Sequence, residues 1–273
     1  MERPERTLGK IDVDRPSSAR IYDYFLGGAH NFEVDRLAAE EIAKVHPAIG
    51  SAMRANRSYL RRAVNYLGHS GVEQFLDLGS GIPTVGNVHE IAHRANPAAR
   101  VVYVDIEPIA VTHSNTILAG DDHAIAIRAD LRDAEQVLSH PGVTGLLDLS
   151  RPIGLILAGV LQYVPDEDDP AGMIANYVGR IAQGSYVAMS HPSMDELTSE
   201  RVAGATAASG LYQRTDTPFH YRTRARFETF FDGLDLVEPG VVHMWDWRPE
   251  LGAETEDLDG QVTGYAGVGR KRH

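Results

Sequence analysis

Two apolar rhythms alternate along this chain. Short, near-continuous apolar runs at residues 75–78, 100–105, 124–130, 153–161 and 184–192 predict strands. Between them, at 85–94, 109–118, 134–138 and 171–182, apolar positions recur three and four apart, which predicts helices. Runs this apolar suit strands covered on both faces. Their alternation with helices up to His191 predicts an α/β fold built on a mostly parallel sheet.

The flanks follow other patterns. Residues 1–16 are polar and predict an extended lead-in, with a strand or lid over the site as the alternative. Pro16-Ser17-Ser18 opens a helix over 19–26 that Gly27-Gly28 ends. Helices follow over 33–45, stopped by His46-Pro47, and over 51–67, ended by Gly68. These three precede the sheet and predict a helical cap. His140-Pro141-Gly142 reads as a turn, and 194–208 and 223–231 as helices. The polar and aromatic segment 210–222 is suited to line a substrate pocket. Residues 234–242 and a last strand over 264–271 predict a C-terminal antiparallel hairpin, with Trp245 and Trp247 in its connection. The division expected is a lead-in and cap over 1–69 and one compact unit over 70–273.

Composition narrows the function. The 273 residues carry a formal net charge of −12, which disfavours nucleic acid as a partner. The absence of cysteine removes thiolate chemistry and disulfides. No apolar run approaches the ~20 residues needed to span a bilayer. The polar N-terminus is no signal peptide, so the expectation is a cytoplasmic protein away from membranes, of undetermined oligomeric state.

The candidate chemistry gathers at strand ends. Asp77-Leu78-Gly79-Ser80-Gly81 places an acid on a strand and a glycine turn before a helix, an arrangement that lets a ligand approach the backbone. A third glycine at the spacing of the dinucleotide fingerprint is missing, which disfavours a nicotinamide oxidoreductase. Asp105, before Ile106-Glu107-Pro108, can accept from a ribose diol or cap the helix that follows. Asp130, before Leu131, can meet an adenine edge or act as a cap. Ala158-Gly159 leave room for a ligand. Arg54, Arg57 and Arg61 share a helix face that can hold an anion or lie solvated beside Glu40 and Glu41. The acidic loop 166–169 lacks the glycine and closing glutamate of a calcium site. No Asp/His cluster at metal spacing appears, so no metal is expected.

The D-x-G-x-G sequence at Asp77–Gly81 resembles motif I of the class I methyltransferases that use S-adenosylmethionine. The blocks Ala19–Gly28, Asn31-Phe32, Asp35-Arg36, Arg54-Ala55-Asn56-Arg57, Val237–Gly240 and Trp247-Arg248-Pro249 resemble the actinobacterial S-adenosyl methyltransferase family, formerly a domain of unknown function, over nearly the whole chain. The resemblance implies a Rossmann-like sheet and S-adenosylmethionine as cofactor. It implies that Asp77, Gly79, Ser80 and Gly81 face the methionine part, Asp105 and Ile106 the ribose, Asp130 and Leu131 the adenine, and Ala158 and Gly159 the methyl group. Methyl transfer to an O or N atom of a small molecule is expected, with a non-catalytic cofactor sensor as the alternative. Tyr22, Asp23 and His191 are the catalytic candidates, with His30 a further possible base. Gly28, His30, Asn31 and Tyr163 are expected at the substrate, and Arg20 or a backbone amide at the methionine carboxylate.

Overall fold

A computed structural model describes residues 13–82, 86–215, 217–249 and 264–272. Most of the lead-in, the expected helix start at Val85 and part of the Trp245–Tyr265 connection lie outside these residues. Five parallel strands form the centre: β1 (Gln74–Leu78), β2 (Arg100–Asp105), β3 (Ala124–Arg128), β4 (Gly154–Ala158) and β5 (Tyr186–Pro192). Three antiparallel strands complete it: the short β6 (Leu234–Leu236) and β7 (Val242–His243), both pairing with the long β8 (Gly264–Lys271), which itself pairs with β5. The order β3-β2-β1-β4-β5-β8-β6 reverses direction between β1 and β4, and ligands of such sheets sit at the carboxyl ends beside that reversal.

Every residue of β1 is buried, the polar Gln74 and Asp77 with the apolar Phe75, Leu76 and Leu78. One sheet face packs Leu76, Val102, Leu155 and Val187 against Val137, Tyr177 and Phe227. The other packs Phe75, Val101, Ile156 and Ala188 against Leu60, Val64, Ile91 and Trp247.

The cap consists of α1 (Ser18–Phe25), α2 (Glu33–Val45) and α3 (Ile49–His69). It has two packing partners. Ile21, Ala39, Ile42 and Met53 share a separate core with Ala208, Tyr212 and Phe219, whereas Tyr59, Leu60, Ala63 and Leu67 of α3 lie directly on the sheet. The covering helices are α4 (Val88–Ala95), α5 (Pro108–Ile117), α6 (Ala134–Ser139), α7 (Pro141–Leu146), α8 (Pro170–Arg180), α9 (Ser199–Tyr212) and α10 (Arg224–Glu228).

Two elements differ from the sequence reading. The turn expected at His140 opens α7, because the His140 ring accepts from the Gly142 amide at 3.0 Å and Pro141 occupies the first turn. The helix expected from Met194 begins at Ser199, because Glu196 takes a left-handed φ of 68° that no helix continues through.

Candidate functional site

The carboxyl ends of β1 to β4 open into a cleft of ≈ 1060 Å³, open space at its mouth included. Asp77, Gly79, Ser80 and Gly81 form its floor at β1. Asp105 and Ile106 line it at β2, Asp130 and Leu131 beyond β3, and Ala158 and Gly159 at β4. Four separate strand ends thus converge on one space, and α1 and α3 close it from above through Ser18, Tyr22, Asn56 and Arg57.

The glycine turn is sterically required. Gly79 has φ 71°, and a Cβ there would stand 2.1 Å from a Val160 methyl carbon. Asp105 locks the turn from the neighbouring strand: Oδ2 accepts the Gly81 amide at 2.7 Å and Oδ1 the Glu107 amide at 2.8 Å. Asp130 is held by Arg132, whose Nε donates to both carboxylate oxygens at 2.9 and 3.0 Å. Both acids therefore order their loops, and each still lines the cleft.

Asp77 and Arg57 both line the cleft. Asp77 is 5% exposed, and burial pushes its carboxyl up to about 7, opposed by Arg57 and reinforced by Asp105. Arg57 lies 5.9 Å over the Tyr22 ring, and its buried Nε finds no hydrogen-bond partner among the described residues. Arg20 is not available for an anion. It is buried, with Nε donating to Asp35 at 2.7 Å and Nη1 3.5 Å from Glu107. The anion-binding expectation moves from Arg20 to Arg57, which the helix-face arginine row had marked.

A second cavity of ≈ 610 Å³ adjoins the first. Tyr22, Asn56, Gly159 and Tyr163 line both. Asn56 fixes this aperture: its Nδ2 donates to the Tyr22 hydroxyl at 3.0 Å, and its Oδ1 accepts from Ser190. The Tyr22 hydroxyl in turn donates to the Met53 carbonyl at 3.2 Å. Asn56 carries a signal in sequence. It is a polar residue in the Met53, Leu60, Ala63, Leu67 stripe of a helix, a place where an apolar side chain is expected.

Other candidates fall elsewhere. Asp23 is buried behind the aperture, where Oδ2 accepts the His30 amide at 2.9 Å and the Asn31 side chain at 2.8 Å. Asp23, Gly28, His30 and Asn31 line neither cavity; they build the turn after α1, and His30 packs on His113 with ring centroids 4.1 Å apart. His191 does line the second cavity, with both ring nitrogens engaged. Arg222 can only donate, at 2.8 Å to Nε2, so the ring proton is on Nδ1, facing the Pro192 carbonyl at 2.7 Å. Burial and the Arg222 charge hold its pKa at about 3. In this arrangement the Nε2 lone pair is held by Arg222 and is not free to take a proton from a ligand in the cavity.

A doubly wound sheet with a glycine turn and acids at successive strand tips defines the class I methyltransferase architecture. A family model described as S-adenosyl methyltransferase matches residues 4–272, and the chain belongs to that family. Its cofactor is S-adenosylmethionine. The crystal structure of a DUF574 family protein from Streptomyces avermitilis is 37% identical, with a TM-score of 0.90 over 96% of this chain and 100% of that one. A candidate methyltransferase from Thermobifida fusca is 38% identical, with a TM-score of 0.87 over 96% of this chain and 97% of that one. The N-methyltransferase NodS from Bradyrhizobium japonicum, solved with S-adenosyl-L-homocysteine, shares the fold at 14% identity, with a TM-score of 0.50 over 93% of this chain and 100% of that one. Among curated proteins, none matches significantly. Among the described residues, no helix is long and apolar enough to cross a membrane.

Proposed function

We propose that the protein transfers a methyl group from S-adenosylmethionine to an O or N atom of a small molecule seated in the second cavity. The carrying observation is the shared aperture of Tyr22, Asn56, Gly159 and Tyr163 between two cavities, one of them at the strand tips. A donor on one side and an acceptor on the other meet there.

In this reading the zwitterionic methionine end lies against Arg57 and Asp77. Arg57, with its unpartnered Nε, takes the carboxylate, and Asp77 faces the ammonium. Gly79, Ser80 and Gly81 offer close backbone approach. Asp105 and Ile106 border the ribose, Asp130 and Leu131 the adenine, and Ala158 and Gly159 the sulfur and methyl.

Bound S-adenosylmethionine supplies an electrophilic methyl carbon: the acceptor's lone pair forms the new bond while the C–S pair returns to sulfur. The leaving group is then neutral, so the protein's main task is alignment. Asn56 and Tyr22 perform it, because their mutual hydrogen bond sets the width of the aperture. Tyr22 is thus assigned to positioning. Asp23 acts through the turn that carries Gly28, His30 and Asn31, and His191 acts through the wall it forms with Arg222. A proton lost by the acceptor leaves for solvent.

The test is to incubate the protein with methyl-labelled S-adenosylmethionine and a small-molecule extract, then separate products by mass. Label in a compound of small mass supports the proposal. Label only in macromolecules, or none above the level of an Asp105→Ala control, overturns it.

A further inference from the structure

We propose that the acceptor is an uncharged aromatic compound that donates a hydrogen bond to the side-chain oxygen of Gln162. This inference rests on the second cavity being the acceptor's site.

The walls come first. Tyr163, Phe219 and Tyr221 form a continuous edge-to-face series, with ring centroids 5.7 and 4.9 Å apart, and Ile49, Met53, Leu197 and Met244 add apolar surface. Edge-to-face rings with adaptable thioether neighbours favour a flat π-system.

Charge comes second. Among the described residues that line the cavity there is no Asp, Glu, Lys or Arg. Both histidines there are neutral: His191 for the reasons above, and His46 because burial lowers its pKa below the ordinary value. A carboxylate or ammonium entering this space would shed water and meet no counter-charge.

Several polar side chains line the cavity, and among the described lining residues the buried side-chain polar atom left without a hydrogen-bond partner is on Gln162. Gln162 is 5% exposed. Its Nε2 donates to the Gly159 carbonyl at 2.6 Å, which orients the amide, because a carbonyl pairs only with the nitrogen end. The other end, Oε1, is buried and finds no hydrogen-bond partner among the described residues. An amide oxygen only accepts, so the complementary ligand group is an O–H or N–H. Gly159 borders the aperture, and Gln162, anchored to it, stands near the point of transfer. A site with a buried acceptor of this kind discriminates strongly against analogues lacking the donor.

The proposal is tested on the whole chain saturated with S-adenosyl-L-homocysteine, by calorimetric titration of 2-naphthol, naphthalene and 2-naphthoate. The expected result is 2-naphthol binding about tenfold or more tighter than either of the others. In Gln162→Leu, the advantage of 2-naphthol over naphthalene is expected to fall to about twofold. Equal binding of 2-naphthol and naphthalene by the wild type overturns the inference without reference to any variant. So does preferred binding of 2-naphthoate, or no binding by any of the three. Displacement of S-adenosyl-L-homocysteine by 2-naphthol is a different failure: it removes the two-cavity reading itself.

Discussion

Asp105 Oδ2 accepts the Gly81 amide at 2.7 Å, so the acid at the tip of β2 holds the glycine turn at the tip of β1. The same carboxylate that faces the cleft also builds its floor. Asp105→Ala is therefore expected to lose stability as well as cofactor affinity. The loss of two backbone partners costs about 1–3 kcal/mol of stability. Urea unfolding of the cofactor-free protein measures that, and calorimetry with S-adenosylmethionine is expected to show affinity reduced at least tenfold. An unchanged unfolding midpoint would show that the loop holds itself.

In the proposed reading Arg57 takes the methionine carboxylate. Its buried Nε needs an acceptor, and a charge-assisted bond is worth about 1.5–3 kcal/mol. Arg57→Met keeps the apolar stem over Tyr22 and removes the charge. Binding of S-adenosylmethionine is expected to weaken roughly ten- to a hundredfold, on the basis of about 1.4 kcal/mol per factor of ten. Decarboxylated S-adenosylmethionine, which lacks the partner group, is expected to lose far less.

Asp77 gives stability a pH dependence of definite sign. Its folded pKa, raised to about 7 from 3.8, means that the folded protein keeps a proton which the unfolded chain has released. That contribution is complete below the unfolded value and disappears as pH rises through the folded one. Unfolding free energy of the cofactor-free protein should therefore fall between pH 5 and 8 by more in the wild type than in Asp77→Asn, by on the order of 3 kcal/mol. Parallel curves for the two proteins would refute the burial-driven shift.

Gly159 sets the aperture by having no side chain. Its φ is 70°, and a Cβ would stand 2.6 Å from Asn56 Nδ2. Gly159→Ala is expected to cost about 1–2 kcal/mol for the left-handed backbone and to push Asn56 from Tyr22. Turnover should fall by more than stability alone explains, while cofactor affinity changes less. A crystal structure of the variant with the Asn56–Tyr22 bond intact would argue against this route.

Asp23 acts through structure. Asp23→Ala removes the acceptor for the His30 amide and the Asn31 side chain, with an expected loss of about 1–3 kcal/mol. Thermal unfolding should report it, while S-adenosylmethionine affinity measured well below the melting temperature stays within about threefold.

Much of this molecule was determined by local sequence. Apolar runs followed by Asp105 and Asp130 specified strands with polar tips, while Asp77 stands buried one residue before the end of β1. Gly79 and Gly81 specified the turn, because few other residues adopt positive φ there. From these, the parallel sheet and the residues along the cleft were legible.

What only the tertiary structure decided is which polar groups remain available once the chain has packed. Arg20 and Arg57 are alike in sequence. Asp35, fifteen positions from Arg20, pairs with it, while Arg57 faces the cleft. Asp23 and His191 have functional residue types, yet the turn at His30 takes Asp23 Oδ2 and Arg222 takes His191 Nε2. Gln162 drew no attention until Gly159 took one end of its amide and left the other bare. Backbone preference is short-ranged and can be read one segment at a time. Hydrogen-bond availability depends on partners that folding brings from distant parts of the chain.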